Sequence, residues 1–158
     1  MTAFEGTQRA VVLKRLRELL RSQRDRFQDY LRSLEKQQEV IEQGNTEALL
    51  AHVELEEHIL QDIFNIQKVI DPLENIYHTL TAQSPAPTGG EGEVSSLKAS
   101  LEGLKREAAA RSKRNRDLLS KGMMEIRSEI KGLRGNPYAA RRSIYADTLS
   151  PSLIDLKG

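Results

Sequence analysis

Hydrophobic residues recur every three or four positions through most of the chain, which is the spacing of one face of an α-helix. The first such row lies near residues 7–43, and only two glutamines interrupt it. It comprises Leu13, Leu16, Leu20, Gln23, Phe27, Tyr30, Leu34, Gln37 and Ile41. A row of this kind is typical of a coiled-coil seam. The pattern therefore predicts one long helix that buries a single stripe.

A second helix is predicted near residues 46–80. Gly44 suits the left-handed residue that ends a helix, and Asn45 or Thr46 can cap the next one, so the two helices should be antiparallel. Two adjacent hydrophobic rows indicate contact with two neighbours. They comprise Leu49, Val53, Glu56, Leu60, Ile63, Gln67 and Ile70, and Leu55, Ile59, Asp62, Ile66, Val69, Leu73, Ile76 and Leu80. Pro72 predicts a kink or a restart within this helix.

A third helix is predicted near residues 95–134, after a linker at residues 82–94 that is rich in proline, glycine, serine and glutamate. Its hydrophobic row is sparse, because no large hydrophobic residue lies between Leu104 and Leu118. The Met123-Met124 pair and three glycines are typical of a surface that repacks around different apolar partners, although methionines also fill thin cores.

The three segments are similar in length, and together they predict an all-α fold. We expect an elongated antiparallel three-helix bundle over residues 1–134, followed by a flexible, non-helical tail at residues 135–158. The tail holds tyrosines and aliphatic residues without a helical period. A single helix cannot cover all of these side chains. We therefore expect either that the tail folds back on the bundle or, as we prefer, that a partner covers it.

Charge supports this arrangement of helices. Residues 33–81 hold two Arg/Lys against ten Asp/Glu, whereas residues 98–142 hold thirteen against five. Acidic and basic helices laid side by side attract each other, which favours an intramolecular bundle. We therefore do not expect nucleic acid as a partner, and the basic run at residues 111–116 also lacks the interleaved aromatic residues of a nucleic-acid surface.

Several classes of function are excluded or not expected. The absence of cysteine excludes disulfides, thiolate zinc sites and cysteine nucleophiles. No catalytic or phosphate-binding motif is present, so we expect no enzyme and no cofactor. His52 with Glu56, and Glu54 with His58, have a spacing that metal ligands use, but we interpret both histidines as surface residues. The N-terminus lacks the features of a signal peptide, and no run approaches the roughly 18 apolar residues of a membrane span. We expect a soluble, cytoplasmic protein without membrane insertion.

The turn IEQGNTEALL (Ile41–Leu50) leads into an acid-rich helix, and RNRDLL places Asn115 just ahead of Leu118 and Leu119. Two tyrosines, Tyr138 and Tyr145, follow in the tail. In these features the sequence resembles the FlgN family of flagellar export chaperones, in which similar tyrosines follow the third helix.

The resemblance implies a cytosolic type III export chaperone. Such a protein binds the C-terminal helical segments of hook-filament junction proteins and delivers them to the cytoplasmic domain of the export gate. The partner helix would lie along the third helix and its neighbour. The implied partner-binding residues are Asn115, Leu118, Leu119, Met123, Ile126, Ile130, Tyr138 and Tyr145. The alternatives are a structural coiled-coil protein that self-associates through the second row of helix two, or a nucleic-acid-binding adaptor.

Overall fold

The computed structural model describes residues 3–84 and 89–135, with side chains described over 6–84 and 89–133. Three helices account for nearly all of these residues: α1 (Ala3–Gln43), α2 (Thr46–Gln83) and α3 (Glu91–Gly135). The described ranges contain no strand. The predicted all-α, three-helix fold is thus confirmed. The linker predicted at residues 82–94 is shorter than expected, because α2 and α3 each extend into it.

The turn between α1 and α2 forms as its residues predict. Gly44 has a φ of 70°, which a residue with a Cβ adopts at a cost. The backbone N–H of Gly44 donates to the carbonyl of Ile41 at 3.1 Å, and that of Asn45 donates to Val40 at 3.3 Å. The Asn45 side chain then accepts from the Ala48 N–H at 3.2 Å. Asn45 is therefore the N-cap of α2, and α2 runs back along α1.

The helix α2 continues without interruption through Pro72. Proline has no N–H to donate to the carbonyl four residues earlier, which made a break plausible from sequence. The helical residues on both sides hold the conformation across it. The predicted restart is wrong, and the predicted kink stays a prediction.

Side-chain contacts define the direction of each helix in the bundle. Between α1 and α2, Gln23 Nε2 donates to Gln67 Oε1 at 2.7 Å and Gln37 Nε2 donates to Glu56 Oε2 at 3.3 Å. The partner's number falls as the α1 number rises, so these helices are antiparallel.

Contacts between α1 and α3 show the opposite trend in residue number. Arg17 contacts Glu93 at 3.3 Å, and Glu35 contacts Arg111 at 2.9 Å. Both numbers rise together, so α1 and α3 are parallel. Since α2 is antiparallel to α1, it is also antiparallel to α3, and Lys98 of α3 contacts Glu74 of α2 at 3.0 Å. The acidic-to-basic attraction predicted from charge thus joins neighbouring helices.

The core lies between α1, α2 and the first part of α3. Most of the row predicted for α1 is buried there, while Gln37 and Ile41 at its end are half-buried. The buried hydrophobic residues are Leu13, Leu16, Leu19, Leu20, Phe27, Tyr30, Leu31, Leu34, Ile59, Ile63, Ile70, Val94, Leu97, Leu101 and Ala108. Only three residues of α2 are among them, so much of its wide hydrophobic arc faces outward.

The chain divides into two units at the Arg116–Asp117 bond, within α3. The first unit contains the core described above. The second begins at Asp117, and its described part is the helical stretch that ends at Gly135. The predicted tail lies outside the described residues beyond that point. Within the described ranges, no helix combines the length and apolar character needed to cross a membrane.

Candidate partner-binding surfaces

The C-terminal part of α3 carries the aliphatic and methionine side chains predicted to bind a partner. Leu118, Met123 and Ile130 are half-buried. Leu119 and Ile126 are exposed, and Ile126 keeps 50% of its surface in contact with water. No large hydrophobic side chain between Asp117 and Leu133 is fully buried. This stretch therefore has apolar surface that the described structure leaves available.

These side chains form one continuous row, which we call the α3 stripe. Its members are separated by four, three, four and three residues, so they share a face of the helix. They are Leu119, Met123, Ile126, Ile130 and Leu133. Leu118 lies at one edge of the row. A helix face of this kind fits the apolar face of another amphipathic helix, and its methionine adapts to irregular partners.

Asn115 is placed differently from the other predicted residues. Its side chain is buried, with 2% exposure. The Nδ2 group donates to the Leu34 carbonyl at 2.8 Å and to Gln37 Oε1 at 2.9 Å. Asn115 therefore joins α3 to α1 inside the first unit and does not present its amide to an outside partner. Its position ahead of the leucine pair has a structural role here.

Gln37 extends this contact to α2. Its Oε1 accepts from Asn115 while its Nε2 donates to Glu56 Oε2 at 3.3 Å. Burial raises the pKa of Glu56 to about 7, and the hydrogen bond from Gln37 opposes that rise. The second carboxylate oxygen, Oε1, is buried without a hydrogen-bond partner. Gln37, Glu56 and Asn115 thus form a polar layer that connects all three helices.

Tyr30 lies beside this polar layer. Burial raises the pKa of its phenol, while a hydrogen bond to Ser112 lowers it. The charge of Glu56 raises the same pKa and that of Arg116 lowers it. The pKa of Tyr30, a residue of α1, therefore depends on groups from α2 and α3.

The histidines of α2 do not form a metal centre with their acidic neighbours. Among the described side chains, no group of three or more histidine, aspartate or glutamate residues is placed to hold a metal ion. His52 is half-buried beside the polar layer, with its Nδ1 atom buried and unpaired. Glu54 and His58 are exposed.

A second apolar surface, which we call the α2 groove, was not predicted. It is an open depression of about 740 Å³ over Leu60 and Phe64 of α2, with Lys105 of α3 on its wall. Phe64 is 56% exposed, and the ammonium group of Lys68 lies 4.7 Å from its ring centroid. The groove is therefore an apolar depression with cations at its edge.

The spacing of the sequence contained a signal for this groove. Leu50, Val53, Leu60 and Phe64 lie at steps of three, seven and four, with Glu57 at the position that interrupts the row. The two rows identified from sequence omitted Phe64 because they followed the most continuous hydrophobic spacing. On α3, the exposed residues Met124 and Leu133 were also absent from the predicted site, although both lie within its limits.

The basic run of α3 is partly engaged within the bundle. Arg111 donates to Glu35 at 2.9 Å and to Glu107 at 2.6 Å. The cation that begins the run is therefore already paired with carboxylates. The remaining predicted residues, Tyr138 and Tyr145, lie outside the described residues.

A comparison with curated proteins finds a relative of this chain. The chain is similar to an uncharacterized protein of Treponema pallidum (strain Nichols), with 35% identity over 126 residues. The matched region covers 80% of this chain and 77% of the Treponema protein. No protein family model matches the chain, and no solved structure does.

Proposed function

The chain belongs to the same protein family as the uncharacterized Treponema pallidum protein, and we propose that it is a cytosolic type III flagellar export chaperone. In this proposal it captures the C-terminal helical segments of hook-filament junction proteins and prevents their premature association. It then delivers them to the cytoplasmic domain of the export gate. The likeness of the Asn115-to-Leu119 segment and of the tail tyrosines to the FlgN pattern suggests this class of client.

The α3 stripe is the observation that carries the proposal. Hydrophobic residues continue at helical spacing beyond Asp117, yet none of the large ones is fully buried. Removal of apolar surface from water contributes roughly 25 cal/mol per Å². A client helix that laid its own apolar face along this stripe would gain that contribution on both surfaces. In this proposal, an unassembled client helix has an exposed apolar face, and binding to the stripe would remove that face from water.

The charges beside the stripe support apolar recognition over electrostatic recognition. Residues 117–133 contain three acidic side chains, Asp117, Glu125 and Glu129, and three basic ones, Lys121, Arg127 and Lys131. Their net charge is zero, so this stretch attracts neither strongly acidic nor strongly basic partners. Capture should therefore tolerate salt, whereas binding to nucleic acid would weaken steeply as salt rises.

Tyr138 and Tyr145 have a separate role in this proposal. Each combines an apolar ring with a polar hydroxyl, a chemistry that is enriched at protein interfaces. We assign them to docking on the export gate or on the client after capture. Deletion of residues 136–158 should then impair delivery while the helical bundle keeps its melting temperature.

Co-expression with the terminal helices of candidate junction proteins, followed by co-purification, tests the proposal. The unmodified chain should retain a client helix, and Met123→Asp and Ile126→Asp should each lose it. A buried charge without a partner is strongly unfavourable at such an interface. Ser128→Asp is the matched control, since Ser128 is exposed on the opposite side of the same helical segment and should retain capture.

Circular dichroism of the free variants separates binding from folding. All three variants should remain as helical as the unmodified chain. Unfolding of the Met123 or Ile126 variant would assign those residues to the protein's own core. Capture that survives both substitutions would show that clients bind elsewhere, and either result would reject the α3 stripe as the capture surface.

A further inference from the structure

A row of residues on α2, distinct from the α2 groove and exposed except for the half-buried Asp62, has the properties of an interface between identical chains. We call it the α2 outer row. Its ten members follow strictly alternating steps of four and three along the helix. They are Ala51, Leu55, His58, Asp62, Asn65, Val69, Pro72, Ile76, Thr79 and Gln83. Steps of this kind give one straight face for contact with a second helix.

Three large apolar side chains of the outer row are exposed to water. Leu55, Val69 and Ile76 are 50%, 46% and 48% exposed. Successive members are fourteen and seven residues apart, so they lie on the same side of the helix. The neighbours Ile66, Leu73 and Leu80 are half-buried and widen the apolar surface, and Ile66 and Leu73 pack against the core.

The low charge of this face allows a second copy of the same acidic helix to approach it. The helix α2 holds seven acidic residues and one lysine, so its net charge is 1 − 7 = −6. The outer row contains one of those acids, Asp62, and its carboxylate is paired with Arg26 of α1. A second acidic α2 would be repelled along most faces of the helix, but not along this one. Depletion of charge at the centre of a contact surface is typical of homodimers.

Two copies of the outer row can be aligned with each other in opposite directions. Pairing residues whose numbers add to 134 uses all ten positions. Each large side chain then faces a smaller or polar one: Leu55 faces Thr79, Ile76 faces His58, and Val69 faces Asn65. Asp62 faces Pro72. A parallel pair would instead place Asp62 opposite Asp62, where like charges repel.

We propose that this chain forms a symmetric dimer in which the α2 outer rows of two copies pack against each other in antiparallel orientation. An interface of this type is isologous, so the same residues serve both chains. It uses neither the α3 stripe nor the α2 groove. Each copy brings its own α3 stripe to the dimer.

The mass of the free chain in solution tests the proposal, measured by sedimentation velocity. The unmodified chain should sediment with the mass of two chains. Val69→Asp places an unpaired charge at the centre of the interface and should give the mass of one chain. Phe64→Asp is the matched control, because it adds the same charge at an exposed apolar position on another face of α2, and it should leave the dimer intact.

Circular dichroism should show that both variants stay helical, and Ile76→Asp provides a second disruption if Val69→Asp fails to fold. A single-chain mass for the unmodified protein at every concentration measured would overturn the proposal. A dimer that survives both outer-row substitutions would overturn it as well, because another surface would then join the chains.

Cysteine cross-linking tests the orientation, since the chain has no cysteine of its own. His58→Cys and Ile76→Cys chains are refolded together and oxidised. Antiparallel packing predicts a disulfide between the two different chains and none when either variant is alone. Cross-linking of each variant with itself would show parallel packing and reject the arrangement proposed here.

Discussion

The first and last parts of α3 have the same hydrophobic spacing but a different environment. Val94, Leu97 and Leu101 are buried in the core with α1 and α2. Ile126 and Leu133, which continue the spacing beyond Asp117, are half exposed. Helical spacing therefore determines which side of a helix is apolar, but it does not determine whether the same chain covers that side.

The polar layer lies where the first part of α3 ends. Asn115 hydrogen-bonds to Gln37 and to the Leu34 carbonyl close to the end of the first unit at Arg116. A buried polar group is costly if its register shifts, because its hydrogen bonds are then lost. This layer therefore fixes how α3 lies against α1, a role that small hydrophobic residues such as Ala108 cannot fill.

The largest expected effect is a difference in unfolding free energy between substitutions in the first and last parts of α3. Leu101→Ala should lower the free energy of unfolding by about 2–5 kcal/mol, because it removes buried methyl groups and leaves a cavity. Ile126→Ala should change it by less than about 0.5 kcal/mol, as is usual at exposed positions. Urea denaturation followed by circular dichroism measures both values.

Equal losses of unfolding free energy in the Leu101→Ala and Ile126→Ala variants would contradict the difference in burial between the two parts of α3. A large loss in the Ile126 variant would mean that the α3 stripe packs within the chain. A small loss in the Leu101 variant would mean that the core described for the first unit tolerates a cavity at its centre. Lys105→Ala, an exposed change on the same helix, serves as the control for helix propensity.

The next effect concerns the polar layer and depends on pH. The pKa of Glu56 is raised from 4.5 to about 7 by burial, so the folded state prefers the protonated carboxyl. Below pH 4.5 both folded and unfolded chains hold this proton, and burial of the carboxyl has little cost. Between those two values the unfolded chain loses the proton first, so stability falls as pH rises and reaches its lower level above pH 7.

Glu56→Gln should remove this dependence, since glutamine keeps the hydrogen bond to Gln37 and carries no charge. The variant should be more stable than the unmodified chain above pH 7 by about 1 kcal/mol, allowing for partial exposure, and equally stable near pH 4. Melting temperatures across this pH range provide the measurement. The exposed neighbour Glu57 supplies the control, and a Glu57→Gln variant with the same pH profile as Glu56→Gln would contradict the assignment.

The sequence predicted much of the fold because local rules acted together. The Gly44 turn, the Asn45 cap and the α1 row required no knowledge of distant contacts, and all three formed as expected. The restart at Pro72 failed because a single proline was outweighed by the continuous helical preference on both sides of it. Whether the proline or its helical neighbours prevail cannot be predicted from local sequence, because the outcome depends on packing of the whole helix.

The candidate surfaces were predictable in part. The α3 stripe was visible as spacing, but its exposure depends on which helices lie beside it. Asn115 was grouped with the partner-binding residues because its motif precedes the leucine pair, whereas tertiary contacts place it in the core. The α2 outer row was visible as part of a second hydrophobic row. Its low charge, with Asp62 paired to Arg26, became informative only when the structure showed which members face outward.

The smallest expected effect tests whether the two parts of α3 unfold together. Gly103 and Gly122 both lie inside the helix, and a Cβ at either position would meet nothing within 4 Å. Alanine at such a site stabilises a helix by about 0.5–1 kcal/mol relative to glycine. Gly103→Ala should raise the free energy of global unfolding by this amount, because Gly103 belongs to the first unit.

Gly122→Ala should leave global unfolding unchanged and act on local opening of the last part of α3. Hydrogen exchange followed by mass spectrometry should show slower exchange in residues 117–135 of this variant alone. If Gly122→Ala raised the global value as much as Gly103→Ala does, both parts of α3 would unfold in one cooperative step. The exposed stripe would then be held rigid before a partner arrives, and capture would cost less conformational entropy than it does for a stretch that opens independently.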